Sequence, residues 1–424
     1  MMGCDIAVIG AGPAGMAAAV RAQESGARVA VLDDNPTAGG QIWRGGERTQ
    51  TGALARRWLE KFKSVDQFAI TNCSVVSAEV DPLKLLLETS DRTEIVRPQK
   101  IVLATGAREM FLPFPGWTLP GVMGVGGLQA IAKSGLPIEG KKIVVAGSGP
   151  LLLAVAAHLK RHGAQVKLIA EQASRGALAG FALQLLRSPG KLFQAGGLQL
   201  SLMGIPYLQD CWVTEAHGDG QLKSVTLRGA SKTWTEECDY AAVAYGLYPN
   251  TELAALLGCK MFGAVVAVNE LQRTSISNVY CAGESSGIGG VDLALVEGEI
   301  AGYAAAGQEP AARKLFGARK RAQAFANALN SAFALRSELR TLPRPETFVC
   351  RCEDVTFKRL QSVSSFRAAK LHTRCGMGPC QGKVCGPAAD FLVGWRTESI
   401  RPPVFPARLG TLTFDETEQQ DIAK

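Results

Sequence analysis

Residues 5–10, DIAVIG, form a short apolar run that passes directly into Gly10-Ala11-Gly12-Pro13-Ala14-Gly15 and then into an alanine-rich stretch reaching Gln23. A second apolar run, ARVAVLD, closes on Asp33, 18 positions after Gly15. This is the dinucleotide fingerprint in its strand–loop–helix–strand context. Gly10 permits the tight turn, Gly12 lets the backbone approach a pyrophosphate, and Gly15 lets the helix pack close to the sheet. The unpaired N–H groups of the helix N-terminus face the phosphates, and Asp33 can accept from a ribose hydroxyl. The competing reading is a tight turn with no ligand.

A second loop follows the run KKIVVAGSG as Gly147-Ser148-Gly149-Pro150-Leu151-Leu152, and a further β-run, AQVKLIAE, ends at Glu171. Leu152 stands where the third glycine belongs, so this helix is expected to stay farther from its strand. Gly147, Gly149 and Glu171 form a possible second nucleotide site, with the acid favouring NADH over NADPH. The alternative is a retained fold with a weak or repurposed pocket. No C-x2-C or C-x4-C pair occurs before residue 350, which excludes a redox disulfide in this half of the chain. His158 and His162 have zinc-like spacing without a third ligand and read as a solvated helix face. No side chain stands out for acid–base chemistry on a substrate.

The 424 residues, the 47 glycines and the sparse aromatics fit an α/β protein with many tight turns. The net charge of +8 is local. Residues 311–344 carry eight basic side chains against the single acid Glu338, and no general affinity for nucleic acid follows. The longest apolar runs are too short to span a bilayer. The N-terminus lacks a basic region and carries Asp5, so it does not read as a signal peptide, and a cytoplasmic location is expected.

Five of the 11 cysteines lie between 350 and 385, in FVCRCEDV and TRCGMGPCQGKVC, and the other six are scattered singly as expected buried hydrophobes. In a cytoplasmic chain such a cluster argues for metal or redox use. Cys350, Cys352, Cys380 and Cys385, spaced C-x-C and C-x4-C, offer the four sulfurs a [2Fe–2S] cluster needs, with glycines letting backbone N–H groups approach the sulfides. Zinc would accept the same donors, although C-x-C is less typical of it. Cys375 falls outside this pattern.

AGGQIW (38–43, with Gly40 and Gln41), KIVLATGARE (100–109, with Thr105 and Gly106) and NVYCAGESSG (278–287, with Gly283 and Glu284), taken with the first loop, resemble the two-dinucleotide-domain flavoproteins. These include thioredoxin reductase and the nitrite reductase flavoproteins. The resemblance implies FAD at the first loop, Gly283 and Glu284 near its ribityl and phosphate region, and NAD(P)H as the ligand of the second loop. The string VCRCEDV … TRCGMGPCQGKVC resembles the bacterioferritin-associated-ferredoxin-like [2Fe–2S] domain. The likeness is strongest to the version fused to the flavoprotein α subunit of opine and D-hydroxyproline dehydrogenases and of bacterial hydrogen cyanide synthase. That resemblance implies Cys350, Cys352, Cys380 and Cys385 as ligands. It also implies a β subunit resembling D-amino-acid oxidase that oxidises the substrate C–N bond, and a small γ subunit.

Together these readings predict an α/β chain of two Rossmann-like domains, the second inserted in the first. The FAD-binding domain takes 1–110 and 250–310, and the inserted NAD(P)-binding-like domain 111–249. A connector helix (311–345), a small helical cysteine-rich domain (346–396) and an extended tail (397–424) complete the chain. The expected role is passing electrons between flavin and cluster in a heteromeric amino-acid dehydrogenase. The alternative is a stand-alone NADH oxidoreductase reducing a ferredoxin-like acceptor.

Overall fold

The computed structural model describes residues 4–44, 52–66, 69–186, 189–397 and 400–414. Ile6–Ile9 is a fully buried strand at the centre of a five-stranded sheet, between Lys100–Leu103 and Val29–Leu32. Val279–Cys281 and Ala69–Ile70 are the outer strands, and every pairing is parallel. A parallel sheet covered on both faces takes continuous apolar strands, which is why these runs do not alternate. Ile6 lies opposite both Val29 and Lys100, so the carboxyl ends line up on one edge, where the first glycine loop emerges.

The helix Pro13–Glu24 follows that loop, with Pro13 in its first turn, where no N–H is needed. It packs against the helix Val291–Ala305 almost backbone to backbone. A Cβ on Gly298 would lie 2.1 Å from the carbonyl oxygen of Ala14, and one on Gly302 would lie 2.3 Å from that of Ala18. Strands Ser74–Val80, Leu83–Glu88 and Thr93–Val96 form an antiparallel sheet beside this core.

The C-terminal segment runs along that small sheet. The Val404 N–H donates to Val76 O at 2.8 Å, the Arg408 N–H donates to Glu88 Oε2 at 2.8 Å, and the Arg408 guanidinium donates to the carbonyls of Thr89 and Ser90. The tail lies on its own chain over the described residues and is not extended throughout, since Leu409–Leu412 is a short helix; 398–399 and 415–424 fall outside the described residues.

By contacts the chain divides into one unit of residues 1–108, 249–327 and 399–424 and another of 109–248 and 328–398. The second unit repeats the plan of the first. Its parallel sheet runs Tyr207–Gln209, Gln165–Glu171, Lys142–Gly147, Tyr240–Ala244, Val122–Met123. The helix Leu151–Arg161 covers one face, and the antiparallel strands Trp212–Gly218, Leu222–Arg228 and Thr233–Glu237 cover the other. His158 is buried here, not on a solvated face, with Lys133 among its charged neighbours; its ring lies 4.1 Å from that of the exposed His162.

Over the expected connector, Glu309–Arg313 and Phe316–Ala332 are helical. Residues 333–336 then leave the helix, and a 3₁₀ turn, Ser337–Thr341, precedes Pro343. Cys350 closes a short strand, Phe348–Cys350, paired with Val355–Thr356, and Cys385 opens the helix Cys385–Val393. Each of the six scattered cysteines is buried, as small hydrophobes are.

Candidate functional site

The first glycine loop is a cradle that side chains would fill. Gly10 adopts φ +102°, and a Cβ there would lie 2.3 Å from Ala104 O; one on Gly15 would lie 1.7 Å from Gly10 O. Gly40, at φ +57°, approaches Gly12 so closely that a Cβ would meet its Cα at 2.9 Å. The turn of 38–43 is thereby laid over the loop, held by the Gly39 N–H donating to Ala11 O. Gln41 is exposed, and Trp43 is buried. Asp33 is buried at the end of its strand and accepts from the N–H groups of Ala11 and Asn35.

Thr105 and Gly106 follow the neighbouring strand. Thr105 Oγ1 lies 2.9 Å from Ser285 Oγ, and Gly106 O accepts from the Asn250 N–H. Gly283 takes φ +77° with its Cα face against Ala14. Glu284 is turned into the glycine loop that precedes the helix Val291–Ala305. Its two carboxylate oxygens accept from the N–H groups of Gly289 (3.1 Å) and Gly290 (2.9 Å). The carboxylate expected near a ribityl chain makes both of these bonds within its own loop. Burial raises its pKa, and the two N–H groups oppose the rise.

Sequence reasoning missed Glu297. It is 5% exposed and accepts from the Gly283 N–H and from Ser286 Oγ, each at 3.2 Å. Desolvation pushes its pKa up to about 7. Its signal, an acid within an otherwise apolar helix (LALVEGEIAGY), was available, but only the fold shows what it serves.

The second loop differs. Gly147 makes the required tight approach, since a Cβ there would lie 1.7 Å from Ala244 O. Leu152 is completely buried between helix and sheet. Glu171 is fully buried, and its oxygens accept from the N–H groups of Gly149 (2.8 Å) and Ala173 (2.9 Å). Burial carries its pKa up to about 7.

The cysteines form an inner group and an outer pair. The sulfurs of Cys350, Cys375 and Cys385 all lie within 4.8 Å of one another, and all three residues are buried. Cys352 is exposed and Cys380 half-buried, and these two thiols interact with each other. Cys375, which falls outside the spacing pattern, is therefore inside the site. The Gly376 N–H points at Cys350 Sγ at 3.5 Å, and thiol contacts from Cys375 and Cys385 hold the Cys350 pKa well below its usual value. Gly378 is required beside Cys352, whose Cβ would lie 2.3 Å from an added Cβ. Sulfur is the sole donor type in this group, which suits iron–sulfur or zinc binding and disfavours hard cations.

The sequence matches the family model for pyridine nucleotide-disulphide oxidoreductases over residues 4–308. The chain belongs to that family. It is an oxidoreductase of flavoprotein type, and membership implies FAD. The loop of Gly10, Gly12, Gly15 and Gly40 fits such a group, because its segments close backbone to backbone and carry no side chain at the start of the helix Pro13–Glu24, where an anionic group is favoured. Beyond the family match, the chain is 32% identical to hydrogen cyanide synthase subunit HcnB of Pseudomonas protegens, covering 95% of each chain. It is 31% identical to an opine oxidase subunit from Agrobacterium tumefaciens, covering 96% of this chain and 91% of that one. In fold it resembles L-proline dehydrogenase from P. horikoshii, with a TM-score of 0.68 at 19% identity over 97% of this chain and 80% of that one. Thioredoxin reductase from T. acidophilum gives a TM-score of 0.56 at 21% identity over 73% of this chain and all of that one. No helix among the described residues is long and apolar enough to cross a membrane.

Proposed function

We propose that the chain is the flavin- and iron–sulfur-carrying α subunit of a heteromeric amino-acid dehydrogenase acting on D-hydroxyproline, an opine or a similar CH–NH donor. In this reading a β subunit resembling D-amino-acid oxidase oxidises the substrate, with a small γ subunit beside it. The observation that carries the proposal is the sulfur-only site on a chain matched over 95% of its length by a protein named as an enzyme subunit. A flavin takes up electrons in pairs and a [2Fe–2S] cluster carries them singly, so the two together convert one regime to the other.

The residues divide that work. Gly10, Gly12, Pro13, Ala14 and Gly15 present the helix N-terminus to the FAD pyrophosphate, and Asp33 addresses the ribose. Gly40, Gln41, Thr105, Gly106, Gly283 and Glu284 line the remaining length of the cofactor. Cys350, Cys352, Cys380 and Cys385 hold the cluster, with Cys375 packed against Cys350 and Cys385 as a fifth sulfur.

Metal and sulfide analysis of the purified chain tests the cluster: about two iron and two acid-labile sulfide per chain are expected, lost in Cys350→Ser. Zinc without sulfide would overturn it. Amino-acid oxidation should require the co-purified partner. Full-rate oxidation by this chain alone would sink the subunit reading.

A further inference from the structure

In an open parallel sheet a ligand lies in the crevice outside the carboxyl ends of the strands. In the second unit three of those ends are already bridged by the chain itself. Ser148, the middle residue of the glycine turn, donates its hydroxyl to Phe333 O at 3.0 Å. Gln172, the residue after Glu171, donates to Ala334 O at 3.2 Å and to Ser148 Oγ at 2.9 Å, and its Oε1 accepts from the Arg336 N–H at 3.2 Å. Asp210, directly after the strand Tyr207–Gln209, takes the Arg336 guanidinium in an ion pair at 2.8 Å. That guanidinium also lies over the Trp212 ring, 4.5 Å from its centroid. Gln172 is wholly buried and Ser148 is 4% exposed.

We infer that the crevice at the second glycine loop is a docking site for the chain's own residues 333–336, and that NADH and NADPH do not bind there. The polar groups at the strand ends have backbone and arginine partners, and Leu152 is buried where a third glycine would stand. The first loop contrasts. Ala11 and Asp34 occupy the positions of Ser148 and Gln172; Ala11 has no hydrogen-bonding side chain, and Asp34 is exposed. The docked segment serves the cysteine region, because the chain then runs from Arg336 to Cys350 over the same unit. The Arg344 guanidinium pairs with Glu215 at 2.6 Å, and Trp117 Nε1 donates to Phe348 O at 2.6 Å. A nucleotide pocket has become an anchor.

This goes beyond the dehydrogenase reading, and its test involves neither turnover nor iron. The flavin-loaded full-length chain is dialysed to equilibrium against NADH and NADPH up to about 1 mM, the upper end of ordinary Michaelis constants. Amide exchange is followed in parallel. No saturable binding is expected, and exchange at 333–336 should be slow and unchanged by either nucleotide. Gln172→Ala should speed exchange at 333–336 by roughly tenfold or more, as local opening of a docked segment does, and leave the first loop unchanged. If that variant fails to fold, Arg336→Ala gives the same readout. Saturable binding of one nucleotide per chain, or exchange at 333–336 that neither variant alters, would overturn the inference.

Discussion

Glu297 lies on the helix Val291–Ala305 with its carboxyl accepting from one backbone N–H and one hydroxyl, and its proton is held to higher pH in the folded protein than in the unfolded chain. Its contribution to stability is therefore fully present below the usual carboxylate value of 4.5 and is lost as pH rises to about 7. Glu297→Gln keeps an oxygen for the Gly283 N–H and removes the charge. Denaturant titrations should find the variant more stable than the parent by on the order of 2–3 kcal/mol at pH 8 and nearly equal to it at pH 4. Equal destabilisation at both pH values would show that the carboxyl serves packing alone. At this scale the sequence is readable where partners are close along the chain. Gly10, Gly15 and Asp33 declare themselves because their contacts fall within one strand–loop–helix–strand run. Glu297 does not, since Gly283 gives it meaning only after the chain has turned through a glycine loop. Cys375 was hidden for another reason: the C-x4-C spacing of 380–385 singles out Cys380, whereas the fold sets Cys375 and Cys385 beside Cys350.

Between elements, the closest approach is that of the helices Pro13–Glu24 and Val291–Ala305. Gly298 and Gly302, one helical turn apart, form a flat strip against Ala14 and Ala18. Gly302→Val would drive a branched side chain into the Ala18 carbonyl. Urea unfolding should show a loss of about 3 kcal/mol or more, with weakened flavin retention, because the same helix N-terminus follows Gly283 and Glu284. Ordinary stability with full flavin would mean that the helices can separate without cost. The parallel strands and both glycine turns were legible from apolar runs and turn residues. The end of the connector was not. Helix-forming residues (Ala334, Leu335, Arg336) continue past Ala332, yet the chain leaves the helix where Ser148 and Gln172 capture the carbonyls of Phe333 and Ala334. Tertiary hydrogen bonds overrode local propensity there.

At the scale of the whole molecule, each unit is assembled from separated stretches of chain, and the last of them closes the first unit. Arg408→Ala removes donors to Thr89 and Ser90 and should lower the stability of that unit by roughly 1 kcal/mol, with faster proteolysis beyond residue 397. An unchanged cleavage pattern would mean that the backbone pairing of Val404 suffices. Nothing in the composition of the tail announced this return, because Arg408 meets its partners more than 300 residues away in sequence. The interleaving also has a consequence for biosynthesis. Lys100–Leu103 waits for Val279–Cys281 as its outer neighbour, and at ordinary translation rates that interval lasts roughly 10 to 35 seconds. Throughout it the nascent chain carries an apolar strand with an unpaired edge, the kind of surface that recruits other chains. Yield in the cell should therefore depend on chaperone supply and on elongation speed between these two strands more than on the stability of the finished protein.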